Sequence, residues 1–107
     1  MPGYRLKQVL GYIEDHIGDS LTLAKIAAAA GLSVSHFSAV FRASLGQPVH
    51  QYVTQRRVER AHALLRQQNG SISQVASATG FAHASHLALH MRRLLGVSPS
   101  RVTGKSG

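Results

Sequence analysis

The apolar residues Leu6, Val9, Leu10, Ile13 and Ile17 recur at spacings of three and four. That rhythm predicts an amphipathic helix over 5–17, ended near Gly18. Asp19, Ser20 and Thr22 offer N-cap oxygens to a short alanine-rich helix over 23–30, closed by Gly31. Ser33 caps a third helix, in which Phe37, Val40, Phe41 and Leu45 form an apolar stripe before Gly46 and Pro48 stop it. The longest helix follows over 49–67, with Tyr52, Val53, Ala61, Leu64 and Leu65 on its buried side and Arg56, Arg57, Arg60 and Arg66 towards solvent. Asn69-Gly70 breaks it, Ser71 caps a short helix over 72–79 closed by Gly80, and another helix spans 84–95 up to Gly96. Ser98-Pro99 opens a last short turn. No stretch alternates with period two over several residues, so the expected fold is all-α, with about seven helices and no sheet.

The pattern occurs twice. Ala27 matches Ala76 and Gly31 matches Gly80, 49 residues apart; His36, Phe37, Phe41, Arg42 and Gly46 match His86, Leu87, Met91, Arg92 and Gly96, 50 apart. The extra residue therefore falls in the turn after Gly80. Each copy meets the requirements of a helix-turn-helix. A small residue (Ala27, Ala76) lets two helices approach closely, and a glycine four later takes the positive φ of the turn. Leu32 or Phe81 plugs the joint, and the second helix is pinned by Phe37 with Val40 in one copy and by Leu87 with Met91 in the other. The resulting organisation is one domain over 1–107: a first helix-turn-helix at about 22–46, a connector helix at about 49–67 and a second helix-turn-helix at about 71–96.

Charge then narrows the partner. Lys and Arg number 12 against 4 Asp and Glu, and three of those acids (Glu14, Asp15, Asp19) lie in the first nineteen residues. From Ser20 onward there are ten basic residues and one acid, Glu59, so the partner expected is a polyanion, either nucleic acid or an anionic membrane. With no cysteine, thiolate chemistry, disulfides and sulfur-ligated zinc are excluded. Carboxylates are nearly absent after residue 19 and no serine sits in a nucleophile elbow, which leaves an enzyme without its chemistry. No apolar run approaches the ~18–20 residues that span a bilayer, and Met1-Pro2 opens no signal peptide, so a soluble, intracellular protein is expected.

Taken together, these residues are similar to the C-terminal DNA-binding domain of the AraC/XylS family of bacterial transcription regulators, over about residues 6–101. The resemblance is carried by Leu23-Ala24, Ile26-Ala27, Gly31-Leu32-Ser33, His36-Phe37, Phe41-Arg42, Gly46, Pro48 and Tyr52 in the first half. In the second it is carried by Arg56-Arg57, Ala61, Leu64-Leu65, Ile72, Val75-Ala76, Gly80-Phe81, Ser85-His86-Leu87, Arg92-Arg93 and Gly96-Val97-Ser98-Pro99. It implies seven helices, two helix-turn-helix units joined by a long helix, and sequence-specific binding to double-stranded DNA in the bacterial cytoplasm, on the nucleoid. The helices over 35–44 and 84–95 would each enter a major groove on one face of the duplex, with half-sites ~34 Å apart and the binding unit a monomer. By position, Ser35, His36, Ser38, Ala39 and Arg42 would face the bases from the first unit, and Ala84, Ser85, His86, Ala88 and Leu89 from the second. Phosphate contacts would come from Arg56, Arg57, Arg92, Arg93 and Arg101, the first two being equally readable as a solvated helix face balanced by Glu59. Contact with RNA polymerase, as an activator, rests on the resemblance alone.

The chain departs from the family pattern at Leu89, where an arginine is common, and at Met91, where an aromatic is. Leu89 packs on a thymine methyl at best, so the second unit is expected to dock more than to read. Family members usually carry a separate sensing or dimerisation domain ahead of this one, so the chain reads as a minimal regulator, which the initiating Met1 favours, or as a piece of a longer one. His86 and His90 stand at i and i+4 with His83 nearby, a spacing that can hold a metal. His36 has no such companion, and third and fourth ligands are wanting, so the histidines read as surface or DNA-contacting groups and neither metal nor cofactor is expected. The competing function is a basic helical module that binds an anionic membrane or a protein partner; it calls for one continuous helix with basic and apolar faces, which the paired turns interrupt.

Overall fold

The computed structural model describes residues 3–104, apart from the side chain of Tyr4; the Met1-Pro2 start lies outside the described residues. Seven helices and no strand occur among the described residues: α1 (Gly3–Asp15), α2 (Leu23–Ala29), α3 (Val34–Leu45), α4 (Val49–Arg66), α5 (Ile72–Ala78), α6 (Ala84–Leu95) and α7 (Pro99–Thr103). The chain divides between Val53 and Thr54 into two compact units. α4 crosses that division, and it lends Val49 and Val53 to the first core and Val58, Ala61 and Leu65 to the second.

The turns explain the division into short helices. α2 ends in a Schellman motif: the N–H of Gly31 bonds the Ala28 carbonyl at 3.0 Å and that of Leu32 bonds Ala27 at 3.1 Å. Gly31 has φ +71°, the left-handed conformation this motif requires. α5 ends the same way, with Gly80 (φ +87°) bonding Ser77 and Phe81 bonding Ala76. Both turns therefore sit where the paired glycines place them. In the first unit the next helix starts at once, and α2 and α3 meet at 81°. Ser33 Oγ accepts from the His36 N–H at 3.2 Å, completing the N-cap. In the second unit the additional residue makes His83 the N-cap of α6, with no side-chain hydrogen bond to the helix. α5 is closed at its start by a capping box in which Ser71 and Gln74 satisfy each other's backbone N–H.

At the end of α4 the break starts earlier than Asn69-Gly70. Gln68 takes φ +54°, and the N–H groups of Gln68 and Asn69 bond the carbonyls of Leu65 and Leu64, another Schellman motif. A side chain in this conformation is strained by roughly 1–2 kcal/mol. Gln68→Gly is expected to raise the melting temperature, whereas Gly31→Val, with open space around its Cβ but a positive φ, should lower it by a similar free energy. Melts in which both substitutions move the midpoint the same way would show that φ is not the cause.

The first core gathers Val9 and Ile13 of α1, Ile17 just beyond it, Ile26, Ala27 and Ala30, Phe37, Phe41, Val49 and Val53. The second gathers Val58, Ala61, Leu65, Val75, Ala76, Phe81, Leu87 and Met91. Val9 and Val58, Ile26 and Val75, Ala27 and Ala76, Phe37 and Leu87, and Phe41 and Met91 hold corresponding places at offsets of 49 or 50. Four expected core positions, Val40, Leu45, Tyr52 and Leu64, are only half-buried. Val40 is only half-buried and Phe41 is fully buried, because a helix turned so that Phe37 faces the core brings the residue four later under it and leaves the one three later at the edge. On α4, Tyr52 and Leu64 are half-buried, and Val58 is wholly enclosed. Its buried stripe shifts because the helix packs in one core and then in the other. Thr79, a fully buried polar side chain at the end of α5, donates its hydroxyl to the Val75 carbonyl at 2.8 Å.

Candidate nucleic-acid interface

Burying Phe37 and Phe41 decides what α3 shows on its far side. At 100° per residue, Ser35, Ala39 and Arg42 (i, i+4, i+7) lie opposite the buried pair, and all three are exposed, as is His36. Ser38 lies at the flank and is half-buried. In α6 the buried pair is Leu87 and Met91, and the row opposite is Ser85, Leu89 and Arg92, each exposed, with Leu89 at 52%. His86 is exposed and Ala84 and Ala88 are half-buried. Each unit therefore presents a row of one serine, one apolar residue and one arginine on the helix that follows its turn. Arg92, placed by sequence among the phosphate contacts, holds in α6 the position that Arg42 holds in α3. The offset of 50 carried that equivalence all along.

The five cations expected to meet phosphate fall into two kinds. Arg92, Arg93 and Arg101 are exposed and pair with no carboxylate among the described residues. Arg56 and Arg57 are half-buried, which departs from their expected place towards solvent. Arg56 donates to Glu59 Oε1 at 2.6 Å, and burial lowers the pKa of Arg57 from its usual value. A guanidinium stays charged in such a setting, yet a side chain already committed to a neighbour is less available to a ligand. Up to Val53 the chain holds four basic and three acidic residues, and from Thr54 onward eight and one, so the formal charges are +1 and +7.

A cluster of rings escaped the reading of the sequence. Phe81, His83, His86 and His90 form a chain of tilted rings along the first two turns of α6: ring centroids are 5.7 Å apart for His83 and His86, 5.4 Å for His86 and His90, and 5.8 Å for Phe81 and His90. The i, i+3, i+7 spacing of the histidines was visible, but Phe81 joins them only through the fold of the turn. No group of three or more metal-ligating side chains with suitable placement occurs among the described residues. No single described helix is long and apolar enough to cross a membrane.

Two structurally matched helix-turn-helix units, each with an exposed polar row backed by a buried apolar pair, define a double helix-turn-helix domain. The helix-turn-helix domain family matches residues 26–105. Among curated relatives, the chain is 37% identical over 99 residues to the probable transcriptional regulator LumQ of Photobacterium leiognathi, covering 91% of this chain and 40% of LumQ. It is 34% identical over 70 residues to the transcriptional activator Btr of Bacillus subtilis, covering 65% of this chain and 13% of Btr. The chain thus spans less than half the length of these relatives. Among solved structures, the DNA-binding domain of AdpA in complex with a target DNA is similar with a TM-score of 0.87 and 30% identity, over 94% of this chain and 90% of that one. An AraC-type regulator from Chromobacterium violaceum gives 0.88 and 27%, with the same coverage. The chain belongs to the AraC family of transcription regulators, which is not a family of enzymes, and its seven-helix fold is that of the family's DNA-binding domain.

Proposed function

We propose that the chain binds double-stranded DNA sequence-specifically, as the DNA-binding part of a bacterial transcription regulator working on the nucleoid in the cytoplasm. The observation that carries this reading is the doubled row, Ser35-Ala39-Arg42 and Ser85-Leu89-Arg92, on the second helix of each unit. AdpA, whose corresponding domain is bound to a target DNA, supports it. α3 and α6 each enter a major groove on one face of the duplex, and the domain binds as a monomer to half-sites in direct repeat, spaced ~34 Å along the DNA. Ser35, His36, Ser38, Ala39 and Arg42 face the bases in one groove, and Ala84, Ser85, His86, Ala88 and Leu89 in the other. Arg92, Arg93 and Arg101 meet phosphates, with Arg56 and Arg57 in support from α4. RNA polymerase is the further partner of the whole regulator.

Eight cations against one carboxylate from Thr54 onward make the second unit the main source of counterion release. Affinity for a duplex selected from a random library should therefore fall steeply with salt, and the footprint should cover roughly two helical turns. A footprint confined to one turn would contradict two-groove binding. Binding to anionic vesicles in preference to duplex would support a membrane module in its place.

A further inference from the structure

α6 carries two histidines, with a third at its N-cap, where α3 carries one. His86 and His90 face each other at 5.4 Å between ring centroids, His83 lies 5.7 Å from His86, and Phe81 closes the group edge-on to His86 and tilted to His90. His83 and His86 are exposed, His90 is half-buried and Phe81 is buried. At the corresponding places the first unit has Leu32 and His36, with Val40 where His90 stands.

Among the described residues no carboxylate pairs with this cluster. α5, packed against α6, has no ionisable side chain, α7 has Arg101 alone, and α6 itself adds Arg92 and Arg93. The half of α4 in this unit carries Arg56, Arg57, Arg60, Arg66, His62 and one acid, Glu59, which is bonded to Arg56. The pKa of His90 is lowered, by burial first, then by the charges of His86 and Arg93. Two neighbouring imidazoles 5.4 Å apart, among arginines and without a carboxylate, resist carrying charge together. A phosphate backbone laid along α6 supplies the missing counter-charge.

Resting on the reading of α6 as a helix that enters the groove, we propose that the Phe81, His83, His86 and His90 cluster is a proton-binding site that couples DNA binding to proton uptake. In the free domain burial, His86 and Arg93 all disfavour the charged form of His90. On the duplex a ring nitrogen of the pair takes one proton from solvent, and the resulting imidazolium is held by phosphate or by a guanine acceptor. Protein, duplex and one proton give one protonated complex, so lowering pH favours binding. Phe81 is a positioning residue, set edge-on to the His86 ring and tilted to that of His90.

The test uses the whole chain and a selected duplex, with Kd read by fluorescence anisotropy at fixed ionic strength from pH 5.5 to 8.5. Uptake of one proton predicts a Kd that falls by up to about tenfold per pH unit over part of this range, and a salt slope steeper by about one at the acid end. His90→Gln should flatten the pH profile, and the double variant His86→Asn, His90→Gln should remove most of it. Histidine ring resonances of the unmodified protein give a reading independent of any variant: one of the pair must titrate at higher pH on the duplex than in the free domain. A flat Kd profile with firm binding, or a slope that persists in the double variant, overturns the proton coupling and leaves the DNA reading intact. Failure to bind any duplex at every pH overturns the DNA reading itself.

Discussion

Truncating Phe41 to alanine should lower the stability of the protein by about 3–5 kcal/mol, the cost of removing a fully enclosed aromatic and leaving a cavity behind. Phe41 is 0% exposed and lies 5.6 Å from both Phe37 and Tyr52, tilted to the first and edge-on to the second. Three aromatic rings in contact cannot close over the gap as freely as aliphatic chains would. A domain of this size is stable by about 5–15 kcal/mol in total, so the variant should be near the limit of folding. Denaturant unfolding checks this through the midpoint, with the slope unchanged. The corresponding Met91→Ala should cost about 2–5 kcal/mol, towards the lower part because flexible neighbours fill space left by a flexible side chain. A loss under about 1 kcal/mol for Phe41→Ala would mean that the first core relaxes around the gap.

The second large effect concerns the unequal rows on α3 and α6. Arg42 is exposed and pairs with no carboxylate among the described residues, so its full set of donors is available to a guanine edge or a phosphate. Arg42→Ala should weaken binding by about 1–3 kcal/mol, or roughly 5- to 150-fold in Kd. Leu89 offers only van der Waals contact to a thymine methyl, and Leu89→Ala should cost at or below the lower end of that range. Scrambling the half-site under α3 should therefore hurt more than scrambling the one under α6. Arg92 provides the counter-test, because it stands where Arg42 stands in the first unit. If scrambling either half-site weakens binding equally, and Arg92→Ala relaxes base preference in the second, then α6 reads as well as docks.

The elements of this fold were legible in the sequence because their signals are local. Gly31 and Gly80 close their helices through bonds to residues three and five positions earlier, and Ser33, Ser71 and Ser98 cap theirs through bonds three positions on. None of these interactions needs a distant partner, so residue type and spacing suffice. The offset of 49, then 50, likewise gave the two units and the matched rows on α3 and α6 without any coordinates. Tertiary structure alone decided what depends on residues brought together from different elements. Val58 is enclosed and Tyr52 only half-buried, because α4 serves one core and then the other, and no single apolar stripe describes it. Phe41 displaced Val40 from the core once Phe37 fixed the rotation of α3. His83, His86 and His90 could be counted along the chain, but the contacts of His86 and His90 with Phe81 depend on the path of the turn before α6, where one inserted residue also left α6 without the side-chain cap that Ser33 gives α3.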